Sequence, residues 1–142
     1  MRFMVLLIAN AVTESGELPS PELLAQMGAY NEDLARAGVL KDGGGLTPSA
    51  AGARVRFSGR DRQVVQGPSA ATERTVSGYW IFETSSLEEA IDWVKRCPNP
   101  TGETGEIEIR RLHGPEDFAK SDPSGELRRN EATLSARVRA GA

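Results

Sequence analysis

Residues 2–10, RFMVLLIAN, set apolar side chains on both faces of a strand: Phe3, Val5, Leu7 and Ala9 on one, Met4, Leu6 and Ile8 on the other. A strand apolar on both faces needs cover on both sides. The polar stretch 11–19 predicts a loop. Ser20-Pro21 then reads as a helix start, with serine as N-cap and proline at the first helical position. Leu23, Leu24, Met27, Tyr30, Asn31 and Leu34 fall mostly at helical spacing, and Gly38 supplies a stop, so a helix is predicted over Pro21–Ala37. Val39–Leu46 reads as a short second strand. Its Gly43–Gly45 run marks a bulge or a close backbone approach. Two short runs, 53–57 and 62–66, flank SGRD as a hairpin. A loop opening on Gly67-Pro68 leads to another strand, Ser77–Glu83, with aromatic residues on both faces.

Ser86 begins a second helix in which Ser86 and Glu89 fit a capping box. Leu87, Ala90, Ile91 and Val94 form its apolar stripe, and Pro98 stops it. Glu106–Leu112 is the last strand. Residues 114–125 read as a loop, and 126–139 as a terminal helix with a sparse stripe of Leu127, Leu134 and Val138. The order is β-α-β, a hairpin insertion, then β-α-β. That is the ferredoxin-like arrangement of the α+β class, an antiparallel sheet with two helices on one face. The expected division is a domain over 1–118 and a C-terminal tail over 119–142. The second face of the sheet still needs cover. A second copy packed sheet to sheet, in a twofold homodimer, supplies it at least cost; the terminal helix is the competing cover.

Composition narrows the function classes. A chain of 142 residues with 39% hydrophobic and 26% charged residues fits one soluble globular domain. A net charge of −3, from 17 basic and 20 acidic residues, gives no broad basic footprint for nucleic acid. The longest apolar run, Phe3–Ala9, is far short of the roughly 20 residues of a membrane span. No convincing cleavage site follows it, so the expected location is cytoplasmic. One cysteine, Cys97, and one histidine, His113, exclude an internal disulfide, a cysteine-based metal cluster and a multi-histidine zinc site. No metal and no cofactor is expected. Gly43–Gly45 lacks the Lys-Ser/Thr ending of a phosphate loop. Arg54, Arg56, Arg60 and Arg62 read as a solvated hairpin face that protects an edge.

RFMVLLIAN, LPSPELLAQMGAYNEDLARAGVL, GGGLTPSAAGARVRFSG, VVQGPSAATER, SGYWIFETSSLEEAIDWVKRCPNP and GEIEIRRLHGPEDF occur in an order and spacing that spans about residues 2–118. In these the chain resembles the YCII-related, or DGPF-domain, family. The resemblance implies a dimeric α+β barrel of ferredoxin-like subunits. It fixes no activity: most members have none established, some resemble small hydrolases or dehalogenase-like enzymes, and some sit beside sigma-factor genes. The family's hallmark is Asp-Gly-Pro-Phe followed by an Ala-Glu-Thr-Lys-Glu-like run. Here Gln66 stands at the aspartate position, Gly67 and Pro68 are kept, and Ser69 replaces the phenylalanine. Ala71, Glu73 and Arg74 stand where Glu, Lys and Glu are usual, and Thr72 is retained. Ile8 and Thr47 occupy positions where relatives commonly carry Lys and His.

The residues that shape the backbone therefore survive, and most ionisable ones do not. Gly67-Pro68 sets a turn. Gln66 neither titrates nor serves as a base. Ile8, Thr47, Gln66, Ser69, Thr72, Glu73, Arg74 and His113 are the candidate cleft residues. The favoured expectation is a non-catalytic dimeric binding or regulatory module for a small polar ligand or a protein partner. Its rivals are a hydrolase- or isomerase-type enzyme using His113 or Glu73, and an interaction module docking through the hairpin arginines or the terminal helix. His113, with no evident partner, reads as a surface residue, and Cys97 as half-buried.

Overall fold

In the computed structural model, which describes residues 1–68, 75–99 and 104–141, the chain forms two compact units, Met1–Arg111 and Leu112–Ala142. The division falls earlier than the expected boundary at 118. The first unit contains β1 (Arg2–Ile8), α1 (Ala11–Glu14), α2 (Pro21–Arg36), β2 (Leu40–Gly45), β3 (Ala53–Ser58), β4 (Asp61–Gln66), β5 (Val76–Glu83), α3 (Leu87–Lys95) and β6 (Ile107–Arg111). The second contains a single turn at Pro115–Phe118 and α4 (Glu126–Arg139).

The main sheet has the order β2-β5-β1-β6 with every neighbouring pair antiparallel. With the hairpin set aside, this is the ferredoxin-like order, so the chain has the α+β fold its element order predicts. Register follows the pleat. Phe3 lies opposite Phe82, and Val5 opposite both Trp80 and Ile109. These side chains, with Leu7, meet Tyr30 and Leu34 of α2 and Ala90 of α3 in one core, where Val5, Leu34, Phe82 and Ala90 are fully buried. The Tyr30 hydroxyl donates to the Trp93 carbonyl at 2.9 Å and ties α2 to α3. Met4, Leu6, Ile8, Tyr79 and Ile81, on the opposite face, are only half-buried.

The helix ends explain the helix positions. Ser20 accepts from the Leu23 amide at 3.2 Å with Pro21 at the first helical position, and after Ala37 the chain turns at Gly38, φ +72°. The capping box expected of Ser86 and Glu89 is half formed. Ser86 accepts from the Glu89 amide at 3.1 Å, but the Glu89 carboxylate turns to the amide and hydroxyl of Ser85, at 2.7 and 2.6 Å. Those bonds hold its carboxyl below the usual range, the Ser85 hydroxyl contributing most.

The expected loop at 11–19 contains α1. Asn10 and Thr13 bond reciprocally, Thr13 N to Asn10 Oδ1 at 3.0 Å and Asn10 N to Thr13 Oγ1 at 2.9 Å. One turn carries no apolar stripe, so periodicity passes over it. The β3–β4 hairpin is a two-stranded sheet of its own, closed by Gly59 (φ +56°) and Arg60. The terminal helix lies where its sparse stripe predicts. Its start is organised by Asp122, whose carboxylate accepts from the amides of Leu127 and Arg128 at 3.3 and 3.0 Å.

Candidate functional site

A cavity of about 780 Å³ opens between α2, the segment before it, and the β2–β5 edge of the sheet. Its apolar wall includes Leu18, Leu23, Leu24, Met27, Leu40 and Trp80; its floor is the backbone of Gly43–Gly45 and Gly78. At Gly43 and Gly78 there is no room for a side chain. A Cβ on Gly43 would meet Trp80 Cδ1 at 2.8 Å and the Tyr79 carbonyl oxygen at 3.1 Å, and one on Gly78 would meet the Gly44 oxygen at 3.2 Å. Of the two meanings expected of the glycine run, close approach is the one realised at Gly43; the β2–β5 register shift lies before the run, between Leu40 and Asp42.

Trp80 is held from two sides. Its indole Nε1 donates to Asn31 Oδ1 at 2.9 Å, and its ring meets Tyr30 edge-on with centroids 5.8 Å apart. Asn31, read from sequence only as a helix-stripe residue, thus fixes a cavity wall. At the mouth, Glu14 of α1 accepts from the Ser49 amide at 3.1 Å and from its hydroxyl, while the Leu46 amide donates to the Ser77 carbonyl at 2.9 Å. These bonds pin Leu46–Pro48 beside the opening. Lys41 lies 3.7 Å from Glu83, which leaves Glu17 and Asp42 as the acids of the rim.

The lining contains no histidine and no cysteine. The Ser77 hydroxyl donates to the Leu7 carbonyl at 3.4 Å and that of Thr13 to the Asn10 carbonyl at 3.1 Å, so neither faces a general base. Among the described lining residues no hydroxyl is seen bonded to a base; beside the pocket the Ser49 hydroxyl donates to the Glu14 carboxylate. The described residues also hold no group of three or more His, Cys, Asp or Glu placed for a metal ion.

Of the candidates from sequence, Thr47 lines this cavity. Ile8 is on the other pleat face from Leu7, which does line it. Gln66 ends β4 opposite Ala53 and borders a second hollow of about 500 Å³ with Gly52 and Gly67. Gly67 has φ +81° and its amide donates to the Gly52 carbonyl at 3.0 Å, which gives Gly67-Pro68 its turn. Ser69, Thr72, Glu73 and Arg74 lie outside the described residues.

His113 belongs to the C-terminal unit and does have a partner: Nδ1 is 3.3 Å from Asp117 Oδ2, which also accepts from the Gly114 amide at 2.8 Å. The imidazole is exposed and packs on Phe118, centroids 5.2 Å apart. The i, i+4 spacing of His113 and Asp117 was the available signal, and the turn at Pro115–Phe118 makes it real. Cys97 is half-buried as expected, and burial pushes its thiol up to about 11.

Fold and pocket together describe a small ferredoxin-like domain with a cavity beside α2, and sequence comparison gives it a family. The YCII-related domain model matches residues 1–113, and the chain belongs to that family. A curated relative, the uncharacterised protein R00369 of Rhizobium meliloti (strain 1021), is 30% identical over 90 residues, which are 63% of this chain and 73% of that protein. A solved structure, the 5-chloro-2-hydroxyhydroquinone dehydrochlorinase of Burkholderia phenoliruptrix AC1100 in complex with 2,5-dihydroxybenzoquinone, is similar with a TM-score of 0.41 and 16% identity. The match covers 82% of this chain and 98% of that one. No helix among the described residues is long and apolar enough to cross a membrane.

Proposed function

We propose that this protein is a binding module whose ligand is a flat, mainly apolar small molecule held in the cavity between α2 and the β2–β5 edge. The observation that carries the reading is the cavity itself. A volume of about 780 Å³ lies within the range of ligand pockets, roughly 300–1,000 Å³, and its apolar wall is built of leucine, methionine and tryptophan. A few polar groups are available to orient the ligand: the Asn31 amide nitrogen, the Thr47 hydroxyl and the backbone of Gly43–Gly45. This moves the expected ligand from polar to mainly apolar, and from the Gln66–Arg74 loop to the β2 side, with Thr47 the residue common to both readings.

The module works as a homodimer in the cytoplasm. The half-buried row of Met4, Leu6, Ile8, Tyr79 and Ile81 supports a sheet-to-sheet contact between two copies. The cavity reading is tested with 8-anilinonaphthalene-1-sulfonate, an aromatic probe with one polar handle. One probe per chain should bind and quench tryptophan emission. A Cβ on Gly45, which lines the pocket, would meet nothing within 4 Å, so Gly45→Leu starts into open space and should weaken the probe at least tenfold. Unchanged affinity in that variant would sink the reading.

A second reading, an enzyme using His113, is favoured by one observation, the Asp117 carboxylate that can orient the imidazole. His113→Ala should then abolish turnover of any identified substrate; unchanged turnover removes the role.

A further inference from the structure

We propose that the β3–β4 hairpin is an arm that docks across the cavity mouth of a second copy of this chain. A lone two-stranded ribbon is marginal in water, yet this one keeps an apolar ridge there: Val55, Phe57 and Val64 are 50%, 71% and 61% exposed. The register puts all three on one face, because Val55 pairs with Val64 and Phe57 with Arg62. The ridge is pre-shaped. Arg62 stacks over the Phe57 ring at 4.3 Å while its guanidinium donates to the carbonyls of Gly59 and Asp61 at 2.9 and 2.8 Å. Among the described residues the ridge is left without cover.

Charge says which surface supplies it. Four arginines and one aspartate give residues 53–66 a net charge of +3 in a chain that totals −3, so the remaining residues carry −6. Arg54, Arg56 and Arg60 have no ion-pair partner among the described residues. The mouth of the cavity is the apolar counterpart with the opposite sign: Leu18 and Leu24 are 89% and 57% exposed there, beside Glu17 and Asp42. A second copy therefore offers both the apolar surface and the acids. A nucleic acid would answer the arginines and leave Val55 and Val64 in water. Docking arm to mouth in both directions closes a twofold dimer, with Arg60 and Arg62 of each arm meeting the partner's acidic rim. The inference does not require the cavity to be filled.

Sedimentation equilibrium of the full chain, from about 1 to 200 µM, tests it. The wild type should approach twice 15.3 kDa, and more weakly as salt is raised. Phe57→Glu, which repels the rim, and Leu24→Arg, which repels the arm, should each raise the dimer dissociation constant at least tenfold. The two together should recover part of the loss, because the charges are exchanged. The three positions Val55, Phe57 and Leu24 are exposed, and far-UV circular dichroism checks the fold; Val55→Asp replaces Phe57→Glu if that variant misfolds. A wild type that stays at 15.3 kDa, or singles that leave the dimer unchanged, overturn the proposal. So does loss with Phe57→Glu alone, since the arm would then dock elsewhere. If the arm fails but Ile81→Lys dissociates the dimer, the sheet contact stands without it.

Discussion

Gly43→Ala adds a single methyl group at the point where β2 passes Trp80. The new carbon would lie 2.8 Å from the indole Cδ1 and 3.1 Å from the Tyr79 carbonyl oxygen, both inside ordinary contact. Neither neighbour gives way freely: the indole is bonded to Asn31, and the carbonyl belongs to the strand paired with β2. Overpacking of this kind costs about 1–3 kcal/mol. Alanine also stiffens the unfolded chain, which returns about 0.4–1 kcal/mol. A net loss of about 1–2 kcal/mol remains, or roughly 2–8 °C in Tm for a chain of this size. Gly45→Ala is the control, because its Cβ meets nothing within 4 Å and its φ is not positive. It should be neutral or stabilising by the same 0.4–1 kcal/mol. Urea denaturation of both variants, read by tryptophan emission, gives the two differences. Equal effects at the two positions would refute the claim that Gly43 is required by the close approach of β2 to Trp80.

Leu34→Ala empties a fully buried site between α2 and the sheet and should cost about 2–5 kcal/mol in the same assay. Tyr30→Phe removes only the bond to the Trp93 carbonyl and should cost about 0.5–1.5 kcal/mol. Burial raises the Cys97 thiol from 9.0 to about 11, so the folded state holds its proton more tightly. The stability this gives is full below about pH 9 and falls as pH rises toward 11; the thiol should also react with a disulfide reagent far more slowly at pH 8 than in urea. The Asp122 carboxyl is held below its usual 3.8, chiefly by the Arg128 amide. Its contribution is therefore present above about pH 4 and lost as pH falls further, and Asp122→Ala should lower the helical circular-dichroism signal of α4 at pH 7.

The sheet and its two long helices were legible because their signals are local. Ser20-Pro21, Gly38 and the two-faced apolar run of β1 each act over a few residues. SGRD announced the hairpin, but not that its ridge would stand in water. The cavity was legible only in part. The glycine run was visible, whereas the wall that gives it meaning comes from Leu18, Asn31 and Trp80, far apart in the chain. Asn31 illustrates the difficulty: its helical spacing explains its place on α2, and only the tertiary fold brings Trp80 Nε1 to it. Likewise Glu89 followed the capping-box pattern, yet its carboxylate found Ser85 first.

Amide chemical-shift mapping of the ¹⁵N-labelled chain with 8-anilinonaphthalene-1-sulfonate tests the central claim, a ligand site under α2. The amides of Gly43–Gly45, the Asn31 side chain and the Trp80 indole should shift together and saturate at one probe per chain. Shifts confined to the exposed ridge of Val55, Phe57 and Val64, with Gly43–Gly45 unmoved, would contradict it.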